Sequence, residues 1–128
     1  MYRLEELEVY ELALKFSSDV WALVSSWDTS LREHPGAQLT AAADSISANI
    51  AEGYGRYYVR DNIKFCYYAR GSIMECKDWL RKCAFRQLID TGESERLLKN
   101  LSTLHARLNG YIKRLRKNLQ SGVLNNSK

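Results

Sequence analysis

The sequence has one proline and seven glycines in 128 residues, and it lacks the alternating apolar and polar runs bounded by turn pairs that mark strands. That scarcity removes most support for strand-based folds, and long stretches of Ala, Leu, Glu, Lys and Arg favour helix. No run of about 18 apolar residues occurs, so neither a membrane-spanning helix nor a membrane partner is expected. The opening MYRLEELEVYELALKF has acidic residues where a secretory leader needs a basic start and an unbroken apolar core, which makes the cytoplasm the expected location.

Metal-binding residues are also few. The three cysteines, Cys66, Cys76 and Cys83, are odd in number and fall in one predicted helix, where seven residues already separate two sites by about 10 Å. A disulfide needs Cα atoms within about 7 Å, so none can bridge another. With only His34 and His105 besides, ligand spacing for a metal is missing and no cofactor is expected. The thiols are expected to be buried as small hydrophobes. The GYG at residues 53–55 follows no strand and lacks a Gly-Lys-Ser/Thr ending, so it is not a phosphate loop.

What is present is ordinary globular material, 45% hydrophobic and 27% charged, enough for one core. In the first predicted helix, about residues 6–27, Val9, Ala13, Phe16, Val20, Leu23 and Trp27 recur at helical spacing. Tyr10, Leu14 and Trp21 add a second apolar row, wide enough to imply contact on more than one side, within the bundle or with another subunit. Pro35 ends that region by disfavouring helix at the residue before it, and Gly36 is expected to loosen the segment after it.

The second predicted helix covers about residues 37–54. Asp61 is the expected N-cap of a third, reaching about residue 88. Asp90, followed three residues later by Glu93, has the form of a capping box and starts the fourth, which ends near residue 119. Four long helices with short connections predict an all-α, up-down-up-down antiparallel bundle forming one domain over residues 1–120, with a frayed tail at 121–128.

The stretches SISANIAEGYGR (45–56) and FCYYARGSIMECKDWL (65–80) resemble the paired signature of the four-helix-bundle family named after proteins encoded in intervening sequences of bacterial 23S rRNA genes. With the LEVYELA start of the first helix, the resemblance covers nearly the whole chain. It implies a homopentameric bundle without known catalysis. It also implies kinship with accessory variability proteins of diversity-generating retroelements, which bind nucleic acid and a reverse transcriptase; by that distant analogy a reverse-transcriptase-like protein is a further expected partner. Carried over by position, the signature falls on Ser45, Ala48, Asn49, Glu52 and Gly53, and on Ala69, Gly71, Ser72 and Glu75. The chain departs from the pattern at Ser47, where a proline is usual, and at Trp79, where a glutamine is usual. The first departure is expected to straighten the second helix and the second to alter a subunit contact.

Ser45, Asn49 and Glu52 share one helical face by spacing. A carboxylate buried there needs a cation, and Arg70 or Arg56 is the available partner. Asn49, Glu52 and Ser72 are therefore expected to form a satisfied polar layer, with Gly53 and Gly71 letting the helices approach. The competing reading of Glu52 and Glu75 as an acid and base pair needs a pocket and a nucleophile or metal that the sequence does not display, so no enzyme is expected.

Charge is unevenly distributed. Residues 1–35 carry three Lys and Arg against seven carboxylates, and residues 93–128 carry eight against two. In the fourth predicted helix Arg96, Lys99, Arg107, Arg114 and Lys117 fall within roughly 80° of one another, opposite a leucine-rich stripe, and Lys113 and Arg116 flank them. Such a ridge can track a phosphate backbone, and a solvated helix face is the plain alternative. In the turn GYGRYYVR, Tyr57 lies between Arg56 and Arg60, an interleaving suited to stacked bases and phosphates, although tyrosine is equally at home in packing. The tyrosines at 67 and 68, with Trp21 and Trp79, are expected in the core or at an interface. The function expected is an oligomeric protein that binds RNA or DNA, the alternative being a scaffold without nucleic-acid binding.

Overall fold

The computed structural model describes residues 3–4 and 7–122. Four long helices form an antiparallel bundle: α1 (Glu8–Ser25), α2 (Ala37–Tyr54), α3 (Val59–Phe85) and α4 (Thr91–Gln120). Each packs on the next, and α4 closes against α1. No strand occurs among the described residues. The expected start of the first helix at Glu6 and the tail from residue 123 onward lie outside the described residues.

The first connection, residues 26–36, is longer and more ordered than expected. α1 stops at Ser25 because Asp28 caps a new helical turn, Thr29–Leu31, its carboxylate accepting from the Leu31 amide at 3.1 Å. His34 is extended (φ −162°, ψ 121°) before a cis peptide to Pro35. Gly36 does not loosen the chain. It is buried, and a Cβ there would come within 2.7 Å of Val24 Cγ1 and 2.8 Å of the Leu31 carbonyl oxygen, so only glycine lets the segment cross the end of α1 this closely.

α2 has the expected bounds and runs unbroken through Ser47. α3 begins two residues before Asp61, with Tyr58 at the N-cap and no side-chain capping bond. It ends at Phe85 because Gln87 takes the left-handed conformation (φ 62°) and the Leu88 amide donates to Cys83 O at 2.8 Å. This is a C-terminal closure usually made with glycine, so the sequence carries no sign of it. At the head of α4, Asp90 accepts from the Glu93 amide at 2.8 Å. The reciprocal arm of the capping box is absent, since the Glu93 carboxylate holds Arg96 instead.

The core follows from the spacing. Val59, Ile63, Cys66, Ala69, Ile73, Cys76, Leu80 and Cys83 step along the inner face of α3 at threes and fours, facing Leu97, Leu101, Leu104, Leu108, Ile112 and Leu115 of α4. All three cysteines are buried and unbridged, and burial pushes the Cys66 and Cys76 thiols up to about 12. Among the described residues, no helix is long and apolar enough to cross a membrane.

Candidate nucleic-acid interface

The signature residues separate into a packed group and an exposed group. Ser45 donates to Ser72 across α2 and α3 at 2.8 Å, and Asn49 Nδ2 donates to the Ser45 carbonyl at 2.8 Å. Ala69 is wholly buried. Ala48, Glu52, Gly71 and Glu75 are exposed. Glu52 therefore lies outside the polar layer predicted for it. Its face turns from the seam to solvent within one helical turn, and its carboxylate pairs with Arg56 at 3.1 Å, both side chains about half exposed. The two glycines differ in the same way. A Cβ on Gly53 would lie 2.7 Å from Asn62 Oδ1 and 2.9 Å from Phe65 Cβ, whereas one on Gly71 would meet nothing within 4 Å. Gly53 sets the α2–α3 approach and Gly71 does not.

The polar pair inside the core is a different one. Asn62 is fully buried, and its Nδ2 donates to the Tyr111 hydroxyl at 3.1 Å, joining α3 to α4, while Cys66 Sγ lies 3.7 Å from Asn62 Oδ1. Burial pushes the Tyr111 hydroxyl up to about 12, outweighing the opposing effect of the Asn62 bond. The sequence reading missed this pair, although Asn62 falls on the inner stripe of α3 between Val59 and Cys66 and Tyr111 falls three residues after Leu108.

The basic residues of α4 are not one ridge. Arg107 pairs with Glu8 of α1 at 2.8 Å. Arg96 pairs with its own helix's Glu93 at 2.8 Å and lies 3.6 Å from Asp19 of α1. Among the described residues, no carboxylate lies within ion-pair distance of Lys99, Lys113, Arg114, Arg116 or Lys117. All of these but Lys99 come after residue 110. Both arginines meet rings: the Arg114 guanidinium is 5.7 Å from the Tyr111 centroid and that of Arg116 is 5.2 Å from Tyr67.

Antiparallel pairing of α3 and α4 brings that half of α4 to the α2–α3 turn. The Asn62–Tyr111 bond and the contact of Tyr67 with Arg116 set the last turns of α4 beside the first turns of α3. Two regions read separately in the sequence therefore share one end of the bundle. Tyr57 and Tyr58 are exposed there, ring edge to face at 4.8 Å, with Arg60 and Lys64 exposed on the first turns of α3. Arg56 stacks on Phe65 at 4.8 Å and is engaged with Glu52.

Arg70, expected as a partner for Glu52, turns instead to α4. Its Nη1 donates to Asn109 Oδ1 at 3.0 Å, and its guanidinium lies 5.0 Å from the Tyr67 centroid. Trp79 is half-buried beneath the first connection, edge-on to His34 at 6.0 Å, with Lys82 over its ring. At that opposite end a shallow pocket of about 590 Å³ is lined by Arg81, Lys82, Phe85 and Arg86, with Phe85 91% exposed.

An all-helical bundle with a serine-bridged α2–α3 seam and, at one end, α4 cations that meet no carboxylate among the described residues is the class of protein these features define. The family model described as 23S rRNA-intervening sequence protein matches residues 5–110, and the chain belongs to that family. No curated protein matches it. The matched region stops short of Lys113, Arg114, Arg116 and Lys117, so family membership does not depend on the basic end.

Proposed function

We propose that the chain is a non-enzymatic binding protein that self-associates and engages RNA or DNA through the basic end of the bundle. The observation that carries this reading is the division of α4, whose early arginines are met by carboxylates while Lys113, Arg114 and Lys117 are met by none among the described residues. Exposed cations on a rigid helix, next to exposed Tyr57 and Tyr58, supply phosphate contacts and stacking surfaces together. Glu52 and Glu75, the carboxylates weighed for acid–base work, are exposed, which favours the reading without catalysis.

Self-association is supported by an apolar surface that the single chain does not cover. Trp21 is 64% exposed and Leu14 42% exposed on the outer row of α1, and Trp21 borders a groove of about 490 Å³ shared with Ala37, Ala41 and Asp44 of α2. The homopentamer implied by the family resemblance would repeat the basic end five times, turning weak phosphate contacts into avid ones.

The test is fluorescence anisotropy with labelled structured RNA, single-stranded DNA and duplex DNA across a salt series, with sedimentation in parallel. Micromolar or tighter binding near physiological salt, with a steep salt slope, is expected for at least one probe. The triple variant Lys113→Ala, Arg114→Ala, Lys117→Ala should flatten that slope by about two to three, and Arg96→Ala with Arg107→Ala should alter it by less than about one. Absence of binding to all three probes would leave the scaffold reading.

A further inference from the structure

We infer that Arg70 and Arg116, set against the Tyr67 ring across the α3–α4 seam, form a clamp for one backbone phosphate of the bound strand; this rests on the nucleic-acid reading above. The two guanidiniums lie 5.0 and 5.2 Å from the same ring centroid. They come from different helices and are fixed separately, Arg70 by its 3.0 Å bond to Asn109 and Arg116 by its bond to the Tyr67 hydroxyl. No carboxylate among the described residues is within ion-pair distance of either. Two cations are thus drawn to one aromatic ring, with no carboxylate among the described residues to offset either.

That arrangement suits an anion. Each guanidinium carries five N–H donors and spends one on the protein bond described, so both keep donors to offer. Planar forks place paired donors on two oxygens of one phosphate, which a lysine ammonium cannot do. Asn109, Lys113 and Arg116 succeed one another at steps of four and three on α4, which puts Lys113 on the same face as a third cation. Lys113, Lys117 and Arg60 continue the cationic surface at that end, as a polymer of phosphates requires and a single small anion does not. With two guanidiniums against its ring, Tyr67 orients cations and does not serve as a base-stacking platform.

Geometry and bulk charge make different forecasts, and charge-conserving variants separate them. The probe is a labelled 20-nucleotide single-stranded RNA, titrated by anisotropy with the full chain across a salt series. Arg70→Ala with Arg116→Ala should weaken binding at least tenfold and lower the salt slope by about 1.4, two charges at about 0.7 each for a single strand. Tyr67→Leu changes no charge and should still weaken binding several-fold. Arg70→Lys with Arg116→Lys should recover less than half of the affinity, since charge returns without the fork. Circular dichroism melting checks that each variant is folded. If Tyr67→Leu fails that check, the lysine pair carries the test.

Wild-type binding together with unchanged affinity in the folded charge-conserving variants would overturn the clamp and leave the nucleic-acid reading standing. Absence of binding by the wild type would end both. Inorganic phosphate at constant ionic strength should leave the RNA bound at millimolar concentration; displacement there would make this a small-anion site and overturn the strand contact.

Discussion

The two halves of α4 are built from the same residue types and meet different neighbours. From Thr91 to Arg107 the helix packs Leu97, Leu101 and Leu104 into an apolar core, and Arg96 and Arg107 meet carboxylates of α1 and of the helix's own first turn. From Leu108 to Gln120 the core admits a tyrosine hydroxyl held by a buried asparagine, and Arg114 and Arg116 meet aromatic rings. The cause is topological. α1 is acid-rich and runs alongside the first half, with Glu8 opposite Arg107, whereas the second half continues against the aromatic start of α3. A basic stripe on a helical wheel is thus a potential surface, and the helix packed beside it decides which part remains available.

The largest expected effect tests how the second half is anchored. Asn62→Ala leaves the buried Tyr111 hydroxyl without its partner, a loss of about 2–3 kcal/mol for an unsatisfied buried group, or roughly 10 °C in melting temperature. Glu52→Gln removes only a half-exposed ion pair and should shift the melt by no more than a few degrees, as exposed pairs contribute about 0–1 kcal/mol. Thermal melting by circular dichroism compares the two. Equal melts would mean that the Asn62–Tyr111 bond does not anchor the C-terminal half.

Alkali should act on the same half through Tyr111, whose share of the effect between pH 10 and 11 is smaller. Burial raises Tyr111 from 10.0 to about 12 and Cys66 and Cys76 from 9.0 to about 12. A folded-state pKa above the unfolded one means that the unfolded chain loses its proton first. Stability from these groups is therefore full below about pH 9 and declines as pH rises towards 12, by up to about 1.4 kcal/mol per pH unit for each group while only its unfolded form is ionised. Urea midpoints between pH 8 and 11 measure this decline. Tyr111→Phe should remove the part that sets in above pH 10, and an unchanged profile in that variant would exclude Tyr111 as its source.

Much of the fold was legible because its signals are local. Ala37 to Tyr54 reads as helix from spacing and small residues, and Asp90 announces α4 through a cap that needs only three further residues. The early stop of α3 was not legible, since Gln87 takes a conformation that its identity does not advertise. Of the layer expected from Asn49, Glu52 and Ser72, Ser72 meets α2 through Ser45, whereas Asn49 bonds within its own helix. Glu52 was misplaced because spacing shows that residues share a face and not where that face turns outward. Asn62 could have been found, since it occupies the inner stripe of α3 as regularly as Cys66 and Cys76 do. Arg70 could not, because its position beside Arg116 depends on α3–α4 pairing across 46 residues of sequence.

The smallest expected effect tests the contrast most directly. If α1 carboxylates are what withdraw the first half of α4 from phosphate binding, then Glu8→Gln should release Arg107 and raise nucleic-acid affinity. The gain should be small. Glu8 and Arg107 are mostly exposed, the pair contributes less than about 1 kcal/mol, and one released cation adds no more than about one to the salt slope of a duplex. A two- to threefold tightening at low salt that vanishes in the Glu8→Gln, Arg107→Ala double variant would show the released guanidinium at work. An unchanged affinity would mean that the strand never reaches Arg107, and the contrast between the halves would then lie in where the ligand runs and not in which charges are neutralised.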